Sequence, residues 1–234
     1  MNNINIFFDL DGTIWDLKYD SRLVLNELYY DLCKKYNLPE FTLFYNTYNQ
    51  INIELWEKYK KKQIDRQNLE KKRFKDTFEV IGIFDDNIYH YMYSNYSKKL
   101  MLTTTLYEGA KETLEKLSKK IKLHIITNGF KEVQLEKLNR VGIKKFFDII
   151  ILAEDEGVMK PDLQLFKYAL FKAKAKANNT FMIGDDIITD LLPAKELSMH
   201  QIYFNNTNKN HDYTFTLEVS SWKEIDDYFA KIIV

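Results

Sequence analysis

From Leu17 to Leu100 the chain shows no strand-like alternation, whereas short apolar runs ending in acids or small polar residues lie on both sides of that stretch. This interruption is the strongest constraint on the fold. It requires a helical insertion between a first strand and a later β/α series. Ile4-Asn5-Ile6-Phe7-Phe8 reads as the first strand, with Asp9 to Thr13 at its C-terminal end. In the insertion, Val24, Leu28, Leu32 and Tyr36 recur at four-residue spacing, and a second stripe runs Phe44, Tyr48, Ile51, Leu55, Tyr59. Leu69, Arg73, Phe78 and Ile88, Met92, Tyr96 mark two more helices. Only 7 Gly and 3 Pro interrupt the chain, which suits long helices with short connections.

After Thr103 the pattern alternates β and α, as a parallel sheet with crossover helices requires. Strands are expected at 123–126, 148–152, 180–183 and 201–204, with helices at 110–119, 131–141, 163–173 and 222–233. Three strands end in polar signatures: Asp9 and Asp11; Thr127 and Asn128; Asp185 and Asp190. In open parallel sheets, ligands bind at that edge.

Each signature has a chemical reading and a plainer one. Asp9 and Asp11 are alternate residues on an extended backbone and share a side. Two such carboxylates ionise together only beside a cation. Gly12 permits the tight path that follows, with Thr13 behind it. In GDDIITD, Gly184 turns the chain off its strand, and Asp185, Asp186 and Asp190 follow. That many acids at one edge call for a counter-charge, and hard oxygen donors favour magnesium. Alternatively, Asp186 and Asp190 are acids of a helix N-terminus. Thr127 and Asn128 form an anion seat or a helix cap. Lys160 stands before Pro161, either poised to neutralise a phosphoryl oxygen or solvated at the surface.

Taken together, DLDGT, TNG, KP and GDDxxxD resemble the haloacid dehalogenase superfamily of phosphatases. ITNGF, ILAEDEGVMKPD and LFKYAL resemble its branch of pyrimidine 5′-nucleotidases and N-acylneuraminate-9-phosphatase. The resemblance implies an α/β fold: a Rossmann-like, doubly wound parallel sheet core (1–16 and 101–234) with an all-helical cap (17–100) inserted after the first motif. It implies Asp9 as nucleophile and Asp11 as general acid and base. It implies magnesium on the Asp9 carboxylate, the Asp11 backbone carbonyl and Asp185. Thr127, Asn128 and Lys160 would then hold phosphoryl oxygens. Gly12, Thr13, Asp186 and Asp190 would support them, with Asp190 orienting Lys160 or a metal-bound water. The cap would close over the crevice. Gly12 departs from the many nucleotidases of this branch that carry a second acid at that position.

The function this resemblance implies is a magnesium-dependent phosphatase of small phosphorylated metabolites, with a nucleoside 5′-monophosphate as the leading substrate. Alternatives are a sugar-phosphate phosphatase of the N-acylneuraminate-9-phosphate or phosphoglycolate type, a phosphomutase, and a catalytically silent binding or regulatory protein on the same fold. The dehalogenases that name the superfamily lack an aspartate at the position of Asp11, so the resemblance disfavours dehalogenation.

Composition narrows the partners. Lys plus Arg equals Asp plus Glu at 34 each, which leaves no footprint for a nucleic acid polymer or an anionic membrane. No apolar run approaches the ~18 residues of a membrane span, and no leader pattern opens the chain, so a cytoplasmic location is expected. A monomer or weak homodimer is expected. The single cysteine, Cys33, is expected to be a buried structural thiol. Arg66 and Arg73 are expected at the surface. His90, His124, His200 and His211 lack metal-ligand spacing and are expected to be structural.

Overall fold

A computed structural model describes residues 4–232. The chain divides into two compact units, Met1–Leu17 with Thr104–Val234, and Lys18–Thr103.

The first unit is built on a six-stranded parallel sheet in the order β3-β2-β1-β4-β5-β6. Its strands are β1 (Asn5–Phe8), β2 (Lys122–Thr127), β3 (Phe147–Leu152), β4 (Thr180–Gly184), β5 (His200–Phe204) and β6 (Leu217–Val219). Phe8 stands beside Ile125 on one side and Ile183 on the other. The chain winds outward from β1 through β2 to β3, then returns to the other side of β1 for β4, β5 and β6. The reversal opens a crevice at the carboxyl ends of β1 and β4, where such sheets bind ligands.

Both faces of this sheet are covered, which is why its inner strands read as continuous apolar runs rather than alternating ones. Successive side chains point to opposite faces. Phe7 joins one apolar cluster with Ile126, Ile151 and Met182, closed by Leu165 and Phe166 of the helix Leu163–Ala173. Phe8 faces the other way and stacks on Trp222 of the closing helix Trp222–Ile232, with ring centroids 5.6 Å apart. The indole N–H of Trp222 donates to the Thr13 carbonyl at 2.9 Å and ties the closing helix to the loop after β1. The strand β6 escaped the sequence reading because three residues with an exposed Glu218 at their centre carry no usable periodicity.

The second unit consists of α1 (Leu17–Cys33), α2 (Phe41–Lys60), α3 (Arg66–Val80) and α4 (Asp86–Leu100). Asp65 and Asp85 cap α3 and α4 by accepting from the backbone N–H groups of Asn68 and Asn87. The expected stripes meet in an aromatic core of Tyr29, Phe44, Tyr48, Phe74, Phe78 and Tyr96. Two expectations are corrected. Cys33 is exposed, because it is the last residue of α1 and lies beyond the buried stripe that ends at Leu32. Arg73 is only 5% exposed, its guanidinium lying over the Tyr96 and Phe74 rings. Among the described residues no helix is long and apolar enough to cross a membrane.

Candidate active site

The β1 run ends in Asp9, whose backbone N–H donates to the Ile183 carbonyl at 2.9 Å and continues the pairing with β4 for one residue. The carboxylate is thereby held at the sheet's carboxyl edge, almost fully buried. Gly12 follows at φ +92°, and a Cβ there would collide with the Asp185 carboxylate. A side chain at this position would therefore push away the acid that β4 delivers. Thr13 donates its hydroxyl to Asp185 Oδ1 at 3.3 Å.

On the other side of the reversal, β4 ends at Gly184, where a Cβ would strike Asp190. The chain enters a π turn over Ile187–Leu191. Asp186 caps that turn, accepting at Oδ1 from Ile188 and Thr189 N–H, both at 2.9 Å. The π turn brings Asp190 inward, 1% exposed. Such single-turn bulges recur at functional sites because they re-aim one side chain without breaking the helix.

Lys160 joins the two halves. Its ammonium donates to Asp9 Oδ1 and to Asp190 Oδ1, each at 2.5 Å, and the residue is 2% exposed. Its backbone is clamped by Asn128, which accepts from Lys160 N–H at 2.8 Å and donates to the Lys160 carbonyl at 3.0 Å. The Lys160–Pro161 peptide is cis. The Asn128 side chain therefore holds the lysine backbone. Thr127 accepts at Oγ1 from the Gly129 N–H at 3.1 Å.

Among the described residues, Asp9, Asp185 and Asp190 each bring one carboxylate oxygen within 4.8 Å of the others. These three acids face one ammonium, leaving two negative charges in a buried space. Without a cation, protons are the alternative counter-charge. Burial, partly offset by Lys160 but aided by the charges of Asp190 and Asp11, pushes Asp9 up to about 7. Burial and the neighbouring Asp9 push Asp185 up to about 7. Burial raises Asp190 to about 6 against the pull of Lys160. Burial opposes the Lys160 charge, yet Asp190 and Asp9 outweigh it and hold the ammonium above the usual lysine range. A hard-oxygen set with a residual charge of minus two fits a small divalent cation.

The Asp11 carboxylate is not in this cluster. It turns toward the helix Lys131–Arg140, accepting at Oδ1 from Lys137 Nζ at 2.7 Å and at Oδ2 from Gln134 Nε2 at 2.6 Å. The Lys137 ammonium also lies over the Trp15 ring. The sequence reading expected one lysine opposite the acids and missed Gln134 and Lys137 altogether. The available signal was two polar residues at i and i+3 among the buried positions Val133 and Leu138.

The model of the haloacid dehalogenase-like hydrolases matches residues 5–197. The chain is 26% identical over 229 residues to the pyrimidine 5′-nucleotidase YjjG of Escherichia coli, covering 97% of each chain. It is 31% identical over 196 residues to a glyceraldehyde 3-phosphate phosphatase of Methanocaldococcus jannaschii, covering 83% of this chain and 81% of that one. Among solved structures, the putative hydrolase YfnB of Bacillus subtilis bound to magnesium superposes with a TM-score of 0.87 at 25% identity, over 98% of this chain and 100% of that one. The parallel sheet with its reversal at β1 and β4, the acid cluster at that reversal and the match along most of the chain agree: the protein belongs to the haloacid dehalogenase-like hydrolases.

Proposed function

We propose that this chain hydrolyses phosphate monoesters by way of a phosphoryl group carried on Asp9. The observation that supports this reading is the division of the two strand-end aspartates between different partners. Asp9 lies in the buried acid cluster against Lys160, while Asp11 stands outside that cluster, half-buried, on partners of its own. A nucleophile needs fixed surroundings that neutralise phosphoryl charge, and a proton carrier needs access to the leaving group and to water.

In the first step an Asp9 carboxylate oxygen forms a bond to phosphorus as the ester oxygen leaves with its electron pair. Asp11 gives that oxygen a proton. In the second, Asp11 takes a proton from water as the water oxygen attacks phosphorus, releasing phosphate and restoring Asp9. Lys160 offsets charge on the phosphoryl oxygens, with Asp190 and Asn128 orienting it, and Thr127 lines the same end. Asp9 and Asp185 by carboxylate, and Asp11 by backbone carbonyl, would hold magnesium. The ion, when bound, supplies positive charge against the phosphoryl group. Gly12, Thr13 and Asp186 keep Asp185 and the π turn in place. Most of the rate gain in such chemistry comes from positioning and electrostatics.

The substrate this reading favours is a nucleoside 5′-monophosphate, pyrimidine or deoxy forms before purine. Likeness over 97% of both chains to a pyrimidine 5′-nucleotidase supports it. The likeness to a glyceraldehyde 3-phosphate phosphatase supports a second reading, a small sugar or triose phosphate. Phosphate release with magnesium across a panel of both classes decides between them. Sugar phosphates turned over about a hundredfold faster than any nucleotide would reverse the preference and leave the chemistry standing. Asp11→Asn with p-nitrophenyl phosphate is expected to give a nitrophenol burst near one equivalent and then stall, since nitrophenolate leaves without a proton whereas water still needs a base. Asp9→Asn is expected to give no burst. Undiminished turnover in excess chelator, or by Asp9→Asn, would overturn the mechanism.

A further inference from the structure

We infer that Gln134 and Lys137 are positioning residues that set the orientation of the Asp11 carboxylate, an inference that rests on the reading of Asp11 as proton carrier.

The two side chains take one Asp11 oxygen each, Lys137 at Oδ1 and Gln134 at Oδ2. A carboxylate held at both oxygens cannot rotate about its terminal bond, so its plane is fixed relative to the helix Lys131–Arg140. Gln134 is 1% exposed and Lys137 4%, both on the inward face of the helix. Packing alone does not account for them, because an apolar side chain of similar volume would fill the same space without burying an ammonium. Gln134 even leaves its Oε1 buried without a hydrogen-bond partner among the described residues, which packing alone would not favour. The amide orientation follows from the acceptor it meets: turned the other way, its oxygen would face the Asp11 oxygen. Gln134 Nε2 also reaches Thr127 Oγ1 at 3.4 Å, so one amide touches the loop after β1 and the last residue of β2 together.

The backbone makes room for this arrangement. A Cβ at Gly129 would overlap the Gln134 amide and come within 3.0 Å of Asp11 Oδ2. The glycine of the TNG segment therefore has a local reason to be there, since any larger residue would block the reach of Gln134 to Asp11. The cations are also divided. Lys160 pairs with Asp9 and Asp190, while Lys137 pairs with Asp11. Asp9 and Asp11 are thus paired with different cations.

The test uses the full chain with magnesium and two substrates, p-nitrophenyl phosphate and a nucleoside 5′-monophosphate. Lys137→Met and Gln134→Leu are expected to lower kcat on the nucleotide by about 10- to 100-fold, the loss that misplacing a reacting group brings. KM is expected to stay within about threefold, because substrate binding is not what these residues set. The nitrophenol burst is expected to keep its rate while the steady phase slows. Lys137→Arg should restore most of the loss. In an Asp11→Asn background, neither substitution should lower turnover further. Thermal unfolding of each variant comes first; should Lys137→Met fail to fold, Gln134→Leu, which removes a neutral group, carries the same comparison. Equal losses in the burst and steady phases, or a further loss in the Asp11→Asn background, would overturn the inference. Failure of the underlying reading is separable, because wild-type protein would then form no phosphoenzyme on Asp9.

Discussion

The sheet edge and the helical interior both bury a cation, and they accommodate it in opposite ways. Lys160 is held between two carboxylates within a cluster that carries more negative charge than the lysine can offset. Arg73 lies against the Tyr96 ring, 4.6 Å from its centroid, with the Ser97 hydroxyl at 3.4 Å and no carboxylate paired to it among the described residues. Burying a charge is costly in either setting. At the sheet edge the remedy is charge, which leaves the region electrically unfinished and open to a further cation. Among the helices it is aromatic surface, which completes the region without inviting anything else. The contrast separates groups kept for chemistry from groups kept for packing, and substitution can test it.

The largest effect is expected at Lys160. Replacing it with methionine leaves Asp9, Asp185 and Asp190 facing one another with no cation. Breaking such a pair from one side costs about 3–5 kcal/mol, and urea unfolding in chelator at pH 8, where protons are a poor substitute, is the measurement. Phosphatase activity should vanish as well. A variant as stable as wild type would mean that the acids do not depend on the lysine, and the contrast with Arg73 would fail.

Next comes a buried group that stays neutral. His124 is 1% exposed in β2, its Nε2 3.1 Å from Asn5 Oδ1 and its ring against Phe7. Burial lowers its pKa from 6.5 to about 4. The unfolded chain therefore takes up a proton near pH 6.5 that the folded chain refuses until about pH 4. Stability from this residue is complete above pH 6.5 and is lost as pH falls toward 4, by about 3 kcal/mol. His124→Gln should flatten that part of the acid limb in urea unfolding between pH 7 and 4. Parallel limbs for variant and wild type would show that the histidine is not the cause.

Adding magnesium addresses the unfinished charge directly. At about 100 times its dissociation constant the ion should stabilise the protein by about 2.7 kcal/mol, and Asp185→Asn should lose most of that gain while remaining folded without metal. An equal gain in the variant would place the ion elsewhere.

These contrasts also explain which features are legible in the sequence. A short apolar run followed by glycine and acids ties each acid to a strand end, so Asp9, Asp11 and Asp185 were placed by sequence position alone. Helical rotation is not determined in that way. Arg73, Cys33, Gln134 and Lys137 all lie on helices, where one residue of phase, or one residue past the last buried turn, decides between core and surface. The role of the Asn128 side chain was hidden for a different reason: it depends on a backbone 32 residues away, which no local pattern encodes.

The smallest effect, and the sharpest test of the contrast, is expected at Arg73. Arg73→Met removes a guanidinium and its ring contacts, worth about 0.5–2 kcal/mol. It also removes the cost of keeping an uncompensated charge away from water, and the methionine stem still fills the space. The two contributions oppose each other, so stability should change by less than about 1 kcal/mol in either direction. Arg73→Lys should be worse than Arg73→Met, because an ammonium keeps the desolvation cost but loses the flat face that stacks on Tyr96. That order, methionine above lysine, is the reverse of what charge conservation predicts and of what a carboxylate partner would produce. Urea unfolding of the two variants reads it. If lysine is instead tolerated and methionine costs as much as Lys160→Met, Arg73 is held by charge, and the helical unit handles its buried cation as the sheet edge does.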